Sequence, residues 1–179
     1  MEPHLVALDV DGTILTHDGE LREATRDAIR AVSEAGHHIV ISTGRSVVAT
    51  LPVLEMLGLT RGWAVCSNGS VTIAIDPDES DGYRIEDTVT FDPREALTLV
   101  LEHAPHVLVA VEEVGVGFKV ARPYPEGVLQ GEQVVVPVEE LVARPTTRVT
   151  FHDPDAASED FLELVERIGL HGVSYAVGY

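Results

Sequence analysis

The chain has 179 residues, 45% of them hydrophobic, enough for one ordinary domain or two small ones and too apolar for a disordered segment. The 30 acidic against 12 basic side chains leave a net charge of −18, which argues against nucleic acid or an anionic membrane as partner, since both are polyanions. No apolar run approaches the roughly 20 residues of a membrane span, the N-terminus lacks the regions of a secretion signal, and Cys66 alone permits no internal disulfide, so a cytoplasmic protein is expected.

In chain order, residues 4–10 read as a first strand. Its apolar run, residues 5–8, is expected to be buried on both faces. The run ends in Asp9 and Asp11, with Gly12 and Thr13 behind them. Side chains two apart in a strand point to the same side, so the two carboxylates can converge past its carboxyl end, where open α/β sheets bind ligands. Carboxylates so placed repel unless a cation or proton lies between them. Asp-Gly is also a common turn pair, so a plain polar turn fits this stretch taken alone.

Residues 13–20 read as a polar loop or small flap. Residues 21–35 read as a helix, with Leu21, Ala24, Ala28, Ile29 and Val32 on its apolar side and Gly36 as its C-terminal cap. A second apolar strand, residues 38–42, leads into Ser42-Thr43-Gly44-Arg45. A second helix follows over residues 46–57, with Pro52 as a candidate kink, and Gly58 closes it. A third strand, residues 63–66, ends in Ser67-Asn68-Gly69-Ser70. Three strand–polar-loop units with helices between them predict a parallel, Rossmann-like sheet whose loops gather along one edge.

A β segment over residues 71–75 precedes the acidic, turn-rich stretch 76–82, read as the domain junction. Beyond it, residues 89–93 and 149–154 repeat a pattern in which a strand feeds an Asp-Pro helix start. The first helix is expected to run to about residue 103 and the second to about 168. Strands follow each, over residues 107–111 and 173–177. Between the copies lie a hairpin partner near 115–120, a β segment at 134–136 and a short helix after Pro137. This half reads as a separate α+β layer. The eight histidines show no metal spacing, Cys66 reads as a buried strand residue, and Lys119 as solvent-facing.

Taken together, Asp9-Val10-Asp11-Gly12-Thr13 resembles the first motif of the haloacid dehalogenase (HAD) superfamily. Ser42-Thr43-Gly44-Arg45 resembles its second motif in the Cof-type, or type IIB, sugar-phosphatase branch, and Asn68-Gly69 is similar to that branch as well. The resemblance implies an α/β fold: an incomplete HAD core over residues 1–76, with an inserted α+β type IIB cap over 77–179. It implies a Mg²⁺-dependent phosphohydrolase acting on a small phosphorylated metabolite such as a sugar phosphate. Asp9 is the implied nucleophile, forming an aspartyl-phosphate. Asp11 is the implied general acid and base. Asp9 and the backbone carbonyl of Asp11 are the implied metal ligands, and Mg²⁺ favours such oxygens. Thr43 is implied as a donor to a phosphoryl oxygen, with loop N–H groups near Gly12 and Gly44 adding others. Asn68 and Gly69 complete the implied substrate-binding set. Arg45 fits a phosphate contact and a structural ion pair equally well.

Family members return from cap to core and supply a lysine motif and a second acidic loop; neither is found in this sequence. The expectation is a chain truncated after the cap, with weak or no turnover and with its first strand left as a bare edge open to self-association. A phosphomutase and a non-catalytic phosphate-binding or interaction module remain alternative readings. A phospho-receiver domain is set aside, because its acceptor Asp would follow a later strand, and here the second and third strands end in Ser-Thr-Gly-Arg and Ser-Asn-Gly-Ser.

Overall fold

A computed structural model describes residues 2–155, 163, 164 and 166–169. The chain divides into two compact units, Met1–Val89 and Thr90–Tyr179. The boundary falls later than the predicted 76/77. Strand β4 (Val71–Ile75) and strand β5 (Tyr83–Thr88) pair antiparallel, so the acidic stretch between them is the turn of a hairpin inside the first unit. Asp76 fixes that turn: its Oδ1 accepts from the Asp78 N–H at 3.1 Å, and its N–H donates to the Gly82 carbonyl at 2.9 Å.

The first unit is a five-stranded sheet whose spatial order follows the chain: β1 (Leu5–Leu8), β2 (His38–Ser42), β3 (Gly62–Cys66), β4, β5. β1, β2 and β3 run parallel, as predicted, while β4 and β5 turn back antiparallel. Helices α1 (Glu23–Glu34) and α2 (Val47–Leu57) make the two crossovers, and α1 packs on β2 and on α2. The alternation of β2 explains the packing: Ile39 and Ile41 are buried while His38 and Ser42 face out. Ile29 of α1 and Val47, Val53, Leu54 and Leu57 of α2 are buried with them. Ala24 and Ala28 lie on the exposed side, so the apolar stripe of α1 is narrower than predicted. α2 continues through Pro52, the Ser46 hydroxyl caps its start, and Gly58 (φ 68°) takes the left-handed position that closes it.

β1 departs from the expectation of burial on both faces. Leu5 is 67% exposed, Ala7 is exposed, and Val6 and Leu8 are half-buried. Among the described residues β1 pairs only with β2, so its other side lies open and its faces are covered incompletely.

The second unit has a four-stranded sheet in the order β8 (Glu132–Val135), β7 (Gly117–Val120), β6 (Leu108–Glu113), β9 (Val149–His152). Alternation divides β6 between two cores. Leu108 and Ala110 join Phe118, Val120, Tyr124 and Leu129, while Val109 and Val111 join Leu97 of α3 (Arg94–His103) and Leu141 of α4 (Val138–Leu141). Gly117 (φ 153°) is required where β8 passes, since a Cβ there would lie 2.1 Å from the Glu132 carbonyl oxygen.

Residues 89–93, predicted as a strand, are not one. Phe91 makes an isolated bridge to Thr146, and the strand of this region is the preceding β5. The repeated Asp-Pro starts do share one device: Asp92 accepts from the Arg94 N–H, and Asp153 from the Asp155 N–H, each at 3.0 Å. Residues 163, 164 and 166–168 are helical, as expected of the second copy. The rest of that predicted helix beyond residue 155, and the strand over 173–177, lie outside the described residues. Lys119 is not simply solvated; it pairs with Glu140 at 3.1 Å and Glu113 at 3.5 Å.

Candidate active site

The three predicted loops meet at the carboxyl ends of β1, β2 and β3, as a parallel arrangement requires. Asp9, Ser42, Thr43, Gly44, Asn68 and Gly69 line a cleft of about 350 Å³ there. Five of these were legible in the sequence. Ser42 is the addition; it belongs to the quoted motif, but its place on the cleft depends on the twist of the chain out of β2. Gly12, Asp11 and Arg45 stand beside the cleft rather than in its lining. A larger concavity of about 410 Å³ in the second unit is lined by Asp92, Arg94, Glu95, Thr98 and Leu99, and holds none of the predicted residues.

The loop after β1 is wound tightly. The N–H groups of Ile14 and Leu15 donate to the Val10 carbonyl at 3.0 and 2.9 Å, and Gly12 sits at φ 75°. That turn buries Val10, Ile14 and Leu15 and leaves Asp9 and Asp11 exposed at its rim. Asp9 therefore presents an accessible carboxylate to the cleft. The Thr13 hydroxyl lies 3.5 Å from its Oδ2, the outer limit of a hydrogen bond.

The loops after β2 and β3 are tied to each other through the backbone. The Thr43 N–H donates to Val65 at 2.9 Å, the Ser67 N–H to Arg45 at 2.7 Å and the Asn68 N–H to Thr43 at 3.2 Å. Ser67 and Asn68 both adopt left-handed backbone, φ 51° and 56°, a conformation that is costly for a non-glycine residue. The turn places the Asn68 amide against Gly44: a Cβ on Gly44 would lie 2.7 Å from Asn68 Oδ1. Thr43 is buried, and its Oγ1 accepts from the Arg45 N–H at 3.2 Å, which leaves the hydroxyl proton available to donate.

Of the two readings of Arg45, the structure displays the ion pair. Its Nε and Nη2 donate to the two carboxylate oxygens of Asp11 at 3.0 and 2.6 Å, a two-point fork. Hydrogen bonding from the guanidinium holds the Asp11 carboxyl below the usual carboxylate range, with burial acting in the opposite direction. Arg45 is shifted upward by the same contact.

Among the described residues no group of three or more His, Cys, Asp or Glu side chains gathers as a metal cage. The donor chemistry at the cleft still fits Mg²⁺, which takes one or two carboxylates and fills its remaining positions with water and substrate phosphate. Asp9, exposed and lining the cleft, is such a carboxylate. No helix among the described residues is long and apolar enough to cross a membrane.

Comparison with known proteins places the chain in a family. The profile of a family described as haloacid dehalogenase-like hydrolase matches residues 6–116. YkrA of Bacillus subtilis (strain 168) is 41% identical over 59 residues, 33% of this chain and 23% of that protein. The pyridoxal phosphate phosphatase YbhA of Escherichia coli (strain K12) is 39% identical over 70 residues, 39% of this chain and 25% of that protein. The solved structure of BT4131, a HAD subclass IIB sugar phosphatase, superposes with a TM-score of 0.67 at 19% identity, covering 93% of this chain and 64% of that one. The match thus spans about a quarter of these curated relatives' length.

Proposed function

This chain belongs to the haloacid dehalogenase-like hydrolase family, and from that premise we propose that it carries the phosphoryl-transfer half-site of a phosphohydrolase acting on a small phosphate ester. The observation that supports this most is the exposed Asp9 carboxylate in a cleft whose other walls are Thr43, Gly44, Asn68 and Gly69. Asp9 attacks phosphorus, and the ester oxygen leaves as an aspartyl-phosphate forms. Asp11, two residues on, protonates that oxygen and then takes the proton of the hydrolytic water. The Thr43 hydroxyl and the loop N–H groups near Gly12 and Gly44 hold phosphoryl oxygens. Asn68, fixed against Gly44, faces the same anion. Bound Mg²⁺, held by Asp9 and the Asp11 carbonyl, would neutralise charge between nucleophile and phosphate.

Relatives named as phosphatases, and a fold shared with a sugar phosphatase, favour hydrolysis over a mutase and suggest a sugar phosphate among the substrates. The division into core, Met1–Val89, and cap, Thr90–Tyr179, belongs to the same proposal. So do a cytoplasmic setting and a small phosphorylated metabolite as partner, rather than nucleic acid or membrane, given a net charge of −18. Self-association through the open side of β1 completes it.

The test is Mg²⁺-dependent hydrolysis of p-nitrophenyl phosphate, with Asp9→Asn as control. Turnover that falls by about a thousandfold or more in the variant, with a phosphoryl group trapped on Asp9 in acid-quenched wild type, is the expected result. Equal rates well above the uncatalysed background in the two proteins would overturn the assignment. Transfer of the phosphoryl group to a second sugar hydroxyl instead of water would identify a mutase.

A further inference from the structure

We propose that Arg45 is a latch on Asp11: the guanidinium that grips both Asp11 carboxylate oxygens exchanges them for the phosphoryl oxygens of an ester entering the adjacent cleft. The inference deepens the phosphohydrolase reading and rests on it for the identity of the anion.

Three observations carry it. First, Nε and Nη2 of Arg45 occupy both oxygens of Asp11, so while the fork stands Asp11 has no carboxylate oxygen turned over wholly to a reacting group. A general acid and base needs one. Second, the backbone of Arg45 is pinned. Its N–H donates to Thr43 Oγ1 at 3.2 Å and its carbonyl accepts from the Ser67 N–H at 2.7 Å. Gly44, the residue before it, lines the cleft. Exchange is thereby confined to the side chain, at a fixed point on the cleft's edge. Third, the pair is open to water: the Arg45 side chain is 31% exposed and that of Asp11 62%. Solvent reaches both partners and screens the pair, so an entering dianion can compete for the guanidinium. A phosphate ester offers a two-point match of its own, with more charge than a carboxylate.

The consequence is an ordered site. Asp11 is released to serve the leaving oxygen only as the anion arrives, so acid–base chemistry is coupled to phosphate occupancy. A simple positioning role, in which Arg45 stays on Asp11 throughout, makes no such link.

A double-mutant cycle on binding separates the two without turnover. The dissociation constant of inorganic phosphate is measured by calorimetry in Mg²⁺ buffer for wild type, Asp11→Asn, Arg45→Met and the double variant. With the latch, Asp11→Asn frees the guanidinium and tightens phosphate by about tenfold, whereas in the Arg45→Met background the same change gains less than about twofold. Equal gains in both backgrounds would report only repulsion between Asp11 and phosphate, and would overturn the latch while leaving the phosphate site standing. No gain from Asp11→Asn in the presence of Arg45 would overturn it too. Failure of all four proteins to bind phosphate would remove the latch and the phosphohydrolase reading together. Arg45→Lys is the second arm: it keeps a cation but loses the fork, so phosphate still binds and the gain from Asp11→Asn shrinks. Thermal melts of each variant confirm that it is folded.

Discussion

At the scale of single residues, the cleft depends on an absence of side chain. Gly44 adopts no unusual backbone, yet the Asn68 amide occupies the space its Cβ would need. Gly44→Ala is therefore expected to push Asn68 aside, weakening phosphate binding by about tenfold while changing stability by less than about 1 kcal/mol. Calorimetry and a thermal melt check the two halves; unchanged affinity would remove Asn68 from the site. The Arg45–Asp11 fork gives a second expectation. Arg45 lowers the Asp11 carboxyl, so the pair's stabilisation is present above the pH where a free aspartate titrates and is lost as pH falls through the lowered value. In Arg45→Met, carboxyl-carbon NMR should show Asp11 titrating at higher pH than in wild type. An unmoved titration would mean that the fork does not persist in solution. The cleft residues were legible because their polar groups sit at strand ends in fixed spacing. The fork was not, because its partners are 34 residues apart and meet only when two loops have folded. Nor was the left-handed turn: Asn tolerates that conformation, but Ser67 carries no such signal.

At the scale of elements, α2 shows how local sequence and tertiary packing agree. Ser46 caps it: its Oγ accepts from the Ala49 N–H at 3.3 Å, while its carbonyl accepts from the Thr50 hydroxyl at 2.8 Å. Ser46→Ala should cost about 1 kcal/mol, read as a fall in Tm, since the Ala49 N–H loses its acceptor. A Tm equal to wild type would assign the capping to backbone alone. Helices and buried strands were read close to their observed bounds because apolar periodicity marks them. β5 is not legible in the sequence because five of the six residues in Tyr-Arg-Ile-Glu-Asp-Thr are exposed and their pattern lacks a buried alternate row. Missing β5 turned a hairpin into an apparent linker, as an acidic, turn-rich stretch looks the same in either role. β1 failed in the opposite way: four apolar residues read as fully buried, but burial also needs a neighbour on each side, which composition cannot supply.

At the scale of the whole chain, the two units have separate sheets, and among the described residues β1 has a strand partner on one side only. Sedimentation at rising concentration is expected to show reversible association that Leu5→Lys weakens, since a charge on a free edge opposes strand pairing. A monomer at every concentration would reject association through β1. The order of the sheets has a further consequence, for how the chain is made. In the first unit each strand lies beside the one that came before it, so every newly synthesised strand meets a partner already outside the ribosome. In the second, β6 waits for β9 until β7, β8 and α4 have all been produced. The half that carries Asp9 and Asp11 can thus assemble progressively during translation, each strand joining the one before it. The other half must hold a strand edge unpaired for longer, which makes it the slower and more aggregation-exposed part of the newborn chain.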